Sequence, residues 1–129
     1  AFANTVKKVW HFFMTDTTLP PPDVKGTIEF FVKDAKKFKE RGGNLIFLRS
    51  PSTGMYKGGE AQFLARESHW DELLRQSDSK GYHYADYEEL AHFDCPEWSH
   101  LSGPDAEIFT TELVKIMKED NALILPKTN

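Results

Sequence analysis

Gly42-Gly-Asn-Leu-Ile-Phe-Leu48 places two glycines ahead of an unbroken apolar run. A run without polar alternation is what a strand buried on both faces of a parallel sheet looks like, and it assigns a strand to Asn44–Leu48. Working backwards, Ile28, Phe31, Val32, Ala35 and Phe38 recur at i, i+3, i+4 spacing, which predicts an amphipathic helix from Thr27. Gly42 and Gly43 end that helix, since glycine takes the left-handed cap conformation cheaply. Helix, Gly-Gly and buried strand make half of a βαβ unit. The class is therefore α/β, a small parallel-type sheet with flanking helices.

Working forwards, Arg49–Gly59 is rich in Ser, Pro, Gly and Thr and reads as a loop at the strand's carboxyl end. Ligands bind there in open α/β sheets, which makes Arg49 a candidate pocket residue. A second helix is predicted over Ala65–Gln76 with Trp70, Leu73 and Leu74 inward, then a short strand at Tyr82–Tyr84 and a long loop, Ala85–Leu101. A third helix starts at Gly103 behind the N-cap Ser102, with Pro104 and Asp105 in its first turn. Its apolar stripe is Ile108, Phe109, Leu113, Ile116 and Met117. Residues 5–14 fit either a short helix or a strand. Thr15–Lys25, with Pro20, Pro21 and Pro22, reads as an extended loop. Ala122–Leu125 is a terminal strand or an apolar tail. The chain reads as a single domain, with residues 1–26 as an N-terminal segment, 27–119 as its body and 120–129 as a tail.

Composition narrows the function classes. The chain has 129 residues, 40% of them hydrophobic with ten Phe and three Trp, which supports a packed core and argues against disorder. Its apolar runs are far shorter than the ~20 residues a bilayer span needs, and no signal-peptide pattern opens it. The lone Cys95 excludes an internal disulfide and suits a reducing, cytoplasmic setting. Net charge is −4, but residues 1–49 carry nine Lys/Arg against five Asp/Glu. Because Lys33, Lys36, Lys37 and Lys39 interleave with apolar residues on a predicted helix, that excess reads as a solvated helix face. Neither nucleic acid nor membrane is expected as a partner.

The chemistry sits in Asp94-Cys-Pro-Glu-Trp-Ser-His-Leu-Ser102, just ahead of the capped helix. His100 has Glu97 three residues upstream and Asp94 six upstream. A carboxylate that accepts a hydrogen bond from one imidazole nitrogen fixes the tautomer and leaves the other nitrogen able to take a proton, which is what general-base catalysis requires. Glu97 is the candidate orienter, with Asp94 as its alternative, and Trp98 is the aromatic best placed to wall a pocket. His92, Asp94, Cys95, Glu97 and His100 also offer five zinc-type ligands, but their spacing matches no established metal motif. No cofactor is expected.

Glu97-Trp-Ser-His100 before the last helix resembles the Asp-x-x-His loop of the SGNH (GDSL-type) hydrolases. The resemblance extends to the element order from Thr27 to Lys118, including Arg49-Ser-Pro-Ser-Thr-Gly54 and Tyr82-His-Tyr-Ala-Asp86. It implies the C-terminal half of an SGNH, flavodoxin-like domain, with His100 as base and Glu97 as orienter. The sequence departs from the family in three ways: Glu97 stands where the family has Asp, and neither the Gly-Asp-Ser nucleophile turn nor the Gly-x-Asn-Asp oxyanion element occurs. Ser50 and Ser52, at the end of the first strand, are weak substitute nucleophiles. The expectation is a chain that is not catalytic by itself. It would act as an oligomeric (dimeric) or binding module, or as part of a longer hydrolase of small acyl esters. The alternatives are a functional esterase using His100 and a metal-binding protein using the loop from His92 to His100.

Overall fold

The computed structural model describes residues 2–16, 18 and 20–123, and the fold is mixed α/β. Helices α1 (Phe2–Thr15) and α2 (Val24–Glu40) lead into strand β1 (Ile46–Arg49). Helix α3 (Gly54–Phe63), a 3-10 turn over Arg66–Ser68 and helix α4 (Trp70–Ser77) cross over to strand β2 (Lys80–His83). A second 3-10 turn (Tyr84–Asp86), helix α5 (Glu88–Ala91) and helix α6 (Gly103–Glu119) complete it. β1 and β2 pair in parallel, Ile46 opposite Lys80 through Arg49 opposite His83.

Both amphipathic helices form, but α2 begins at Val24, ahead of the expected Thr27 and inside the expected loop Thr15–Lys25, and Phe31 and Phe38, like Ile108 of α6, stay exposed instead of joining the buried stripes. Asp23 caps α2, its carboxylate accepting from the Gly26 N–H at 2.9 Å, and Gly42 leaves the helix with φ +84°. Ser102 accepts from the Asp105 N–H at 3.3 Å at the start of α6. Ile28, Val32 and Ala35 bury the inner stripe of α2, which packs on α4. The core lies between β2, α5 and α6, where Tyr82, Tyr84, Leu90, Phe93, Phe109 and Leu113 are buried together.

Several expectations need correction. The open choice for residues 5–14 resolves as helix. The first strand runs two residues late, over Ile46–Arg49, because Asn44 is drawn aside to donate to the Ala122 carbonyl at 3.1 Å. Nor is it buried on both faces: with β2 as its one neighbour among the described residues, Leu48 stays 45% exposed. Most of the expected loop Arg49–Gly59 is α3. Its glycines disfavour helix, but Tyr56 packs edge-on against Trp10 with ring centroids 4.7 Å apart, and this docking of α3 on α1 prevails. The expected helix over Ala65–Gln76 is split at His69, β2 begins at Lys80, and the loop after it holds a 3-10 turn and α5. Of the terminal segment Ala122–Leu125, the last two residues lie outside the described residues. No helix among the described residues is long and apolar enough to cross a membrane.

Candidate functional site

The loop from Asp94 to Ser102 is fastened at both ends. Its far end is held by the Ser102 cap. Its near end is stitched to the residues just past β1: Thr53 Oγ1 donates to the Cys95 carbonyl at 3.2 Å, and the Thr53 N–H donates to the Trp98 carbonyl at 2.9 Å. The Cys95 thiol is buried and donates to the Pro51 carbonyl at 3.4 Å. Burial pushes that thiol's pKa up, with Asp94 and Glu97 adding to the shift, so Cys95 is a packing residue rather than a thiolate. Between these anchors the chain turns sharply. Trp98 adopts φ +80°, an unusual conformation for a bulky residue, and its N–H donates back to the Cys95 carbonyl at 2.8 Å. Gly54, at φ +56°, is the matching concession on the other wall: a Cβ there would lie 2.4 Å from the Trp98 indole nitrogen.

This turn sends Glu97 inward and His100 outward. Glu97 is 7% exposed, while the His100 side chain is 79% exposed. His100 Nδ1 lies 2.6 Å from Glu97 Oε1. A carboxylate is an acceptor, so Nδ1 carries a proton, and in the neutral ring Nε2 is then the acceptor. The other carboxylate oxygen is held as well: Ser99 Oγ donates to Glu97 Oε2 at 2.7 Å, and Trp10 Nε1 donates to Ser99 Oγ at 3.1 Å and to Oε2 at 3.4 Å. Burial raises the Glu97 pKa, but the bonds from Ser99, His100 and Trp10 outweigh it and hold the carboxyl below its ordinary value. Glu97 is therefore a buried, ionised carboxylate with both oxygens hydrogen bonded. That geometry prepares an imidazole to accept a proton from an approaching hydroxyl.

Neither candidate serine is brought to it among the described residues. Ser52 is buried, and its hydroxyl donates to Glu60 Oε2 at 2.5 Å, while Glu60 pairs with Arg49. Ser50 is exposed, and its carbonyl accepts from Arg49 Nη1 at 2.6 Å. Neither serine is hydrogen bonded to His100. Ser99 is bonded at the Glu97 side of the ring, which makes it a positioning residue.

Asp94 is exposed and does not join the pair; Glu97 takes the position. Among the described residues no three His, Cys, Asp or Glu side chains converge. His92 Nδ1 bonds the Glu88 carbonyl at 3.3 Å, and the Cys95 sulfur bonds Pro51. Arg49 and Trp98 do not share a pocket either. Arg49 lines a cavity between α2, α3 and α4, whereas Trp98 walls a shallow groove with Lys7, Lys8 and His11. The Lys7 ammonium sits 5.3 Å above the Trp98 ring in that groove.

No family model, curated protein or solved structure matches this chain. The functional reading therefore rests on the residues themselves. Trp10 is the contributor that sequence reasoning missed. It lies 87 residues from Glu97, on a helix with no local signal of a site. Only the folded approach of α1 to the loop reveals it.

Proposed function

We propose that this chain supplies the base and orienter of an SGNH-type acyl-ester hydrolase site. His100 is the general base, Glu97 its orienter, and Ser99 and Trp10 hold the orienter ionised. The observation that carries the reading is the 2.6 Å bond from His100 Nδ1 to a buried carboxylate, on an imidazole that is otherwise largely exposed. A serine and oxyanion donors from outside these residues would complete the site. They would let His100 take the serine proton as the ester carbonyl is attacked and return it to the leaving alkoxide. The flavodoxin-like half-domain belongs to the same proposal, as do a small ester substrate and a cytoplasmic setting. Without the serine and the donors the 129 residues are a non-catalytic module.

The test is p-nitrophenyl acetate hydrolysis by the full gene product. His100→Ala is expected to lower kcat/KM by ~10²–10⁴, the range of general-base catalysis. Hydrolysis unchanged by that substitution, or no hydrolysis by the unsubstituted gene product, would contradict the proposal.

A second reading, assembly through apolar helix faces, has its own observation. Phe12, Phe13, Phe30 and Phe31 on α1 and α2 are all more than half exposed. A homodimer covering them is expected to sediment as a dimer at micromolar concentration, and a clean monomer there would dismiss it.

A further inference from the structure

Away from His100, α2, α3, α4 and the carboxyl ends of the two strands line a cavity of about 570 Å³ that is open to solvent on one side. Ile28, Phe31, Leu64, Trp70, Leu73 and Tyr84 give it mostly apolar walls. The volume falls within the ~300–1,000 Å³ of small-molecule pockets, and the carboxyl ends of parallel strands are their usual location.

The charged lining is unbalanced. Arg49, Lys57 and Arg66 stand against a single acidic residue, Glu60. Glu60 is already satisfied by Arg49 and the Ser52 hydroxyl. Arg66 is engaged by Asp86 through two bonds of 2.6 and 2.8 Å. Lys57 differs. Among the described residues its ammonium meets no carboxylate and lies 5.6 Å above the Tyr84 ring. His83 adds a donor. Its Nδ1 accepts from the Ala85 N–H at 3.2 Å, so the neutral ring carries its proton on Nε2. Burial, reinforced by the nearby Arg66 charge, lowers the His83 pKa and keeps that ring neutral. The His83 ring stacks on Tyr84 at 5.0 Å, so cation and donor both rest against the same aromatic wall.

We infer that this cavity binds an apolar monocarboxylic acid of the medium-chain fatty acid type, its chain between α2 and α4 and its carboxylate at Lys57 and His83. The apolar walls exclude a strongly hydrated ligand. Lys57, which meets no carboxylate among the described residues, suits a monoanion, and with Glu60 already neutralised a cationic ligand finds no free counter-charge in the lining. The inference does not depend on ester chemistry, since neither Glu97 nor His100 lines the cavity.

Calorimetric titration of the full chain with decanoate, decanol and decyltrimethylammonium tests it. Decanoate is expected to saturate one site and to bind more tightly than the other two. Lys57→Gln, an exposed change, is expected to weaken decanoate about three- to fivefold, the size of one exposed charge pair, and to leave decanol unaffected. Ala61→Trp, filling the cavity from α3, is expected to abolish decanoate binding while circular dichroism shows the fold intact. The inference is overturned by any of three results: no saturable decanoate binding to the unsubstituted chain, decanol or the cation binding as tightly as decanoate, or no effect of Lys57→Gln.

Discussion

The two ends of this chain are built to opposite rules. From Lys80 to Glu119, β2, α5 and α6 close over Tyr82, Leu90, Phe93, Phe109 and Leu113, with Phe93 and Phe109 meeting edge to face at 5.8 Å. Helix α1 buries no residue and leaves Phe2, Val9, Phe12 and Phe13 in solvent. Yet the open end reaches into the closed one, where Trp10 donates to Ser99 and Glu97 and the Lys7 ammonium lies over the Trp98 ring. The closed region gives the histidine loop its rigidity, and the open region adds one donor while its other apolar side chains go uncovered. A site residue and an unpartnered surface can thus share one helix.

Substitutions at the two ends should separate them sharply. Leu90→Ala, at a position with no exposure, is expected to cost about 2–5 kcal/mol in chemical denaturation through lost burial and the cavity left behind. A cost below about 1 kcal/mol would mean that the closed region is not the stability core.

Glu97→Gln comes next, with an expected loss of about 1–3 kcal/mol from its charge-assisted bonds. It also carries a pH signature. The folded Glu97 pKa lies below its ordinary 4.5, so its contribution is fully present above that value and is lost as pH falls through the depressed folded pKa. In denaturation at successive pH values the unsubstituted chain should lose stability on acidification more steeply than Glu97→Gln. Parallel curves would show that Glu97 is not held ionised.

Trp10→Phe keeps the packing against Tyr56 and removes the donor. An expected loss of about 1 kcal/mol, measured the same way, would sharpen the hydrogen-bonded link between the two regions, and no loss would cut it. Phe12→Ser on the exposed face should change monomer stability by no more than about 0.5 kcal/mol. A larger loss, growing with protein concentration, would mean that the open face is covered by a second chain.

The legible parts of the sequence were those written in local chemistry. The stripe Ile28, Val32, Ala35 and the Ser102 cap carry their own signals, as does the carboxylate three residues before His100. What was not legible depends on distant partners. Helix α3 forms over glycines because α1 docks on it. β1 slides because Asn44 is captured near Ala122, and Trp10 enters the site from 87 residues away. The pairing of Ser52 with Glu60 rather than His100 is of the same kind: a buried serine takes the nearest carboxylate.

The claim that Glu97 fixes the tautomer of His100 is open to a long-range proton–nitrogen NMR spectrum of the imidazoles at neutral pH. The expected result is a proton on His100 Nδ1, with Nε2 bare, and loss of that preference in Glu97→Gln. A neutral His100 carrying its proton on Nε2, or a spectrum unchanged by Glu97→Gln, would contradict the claim.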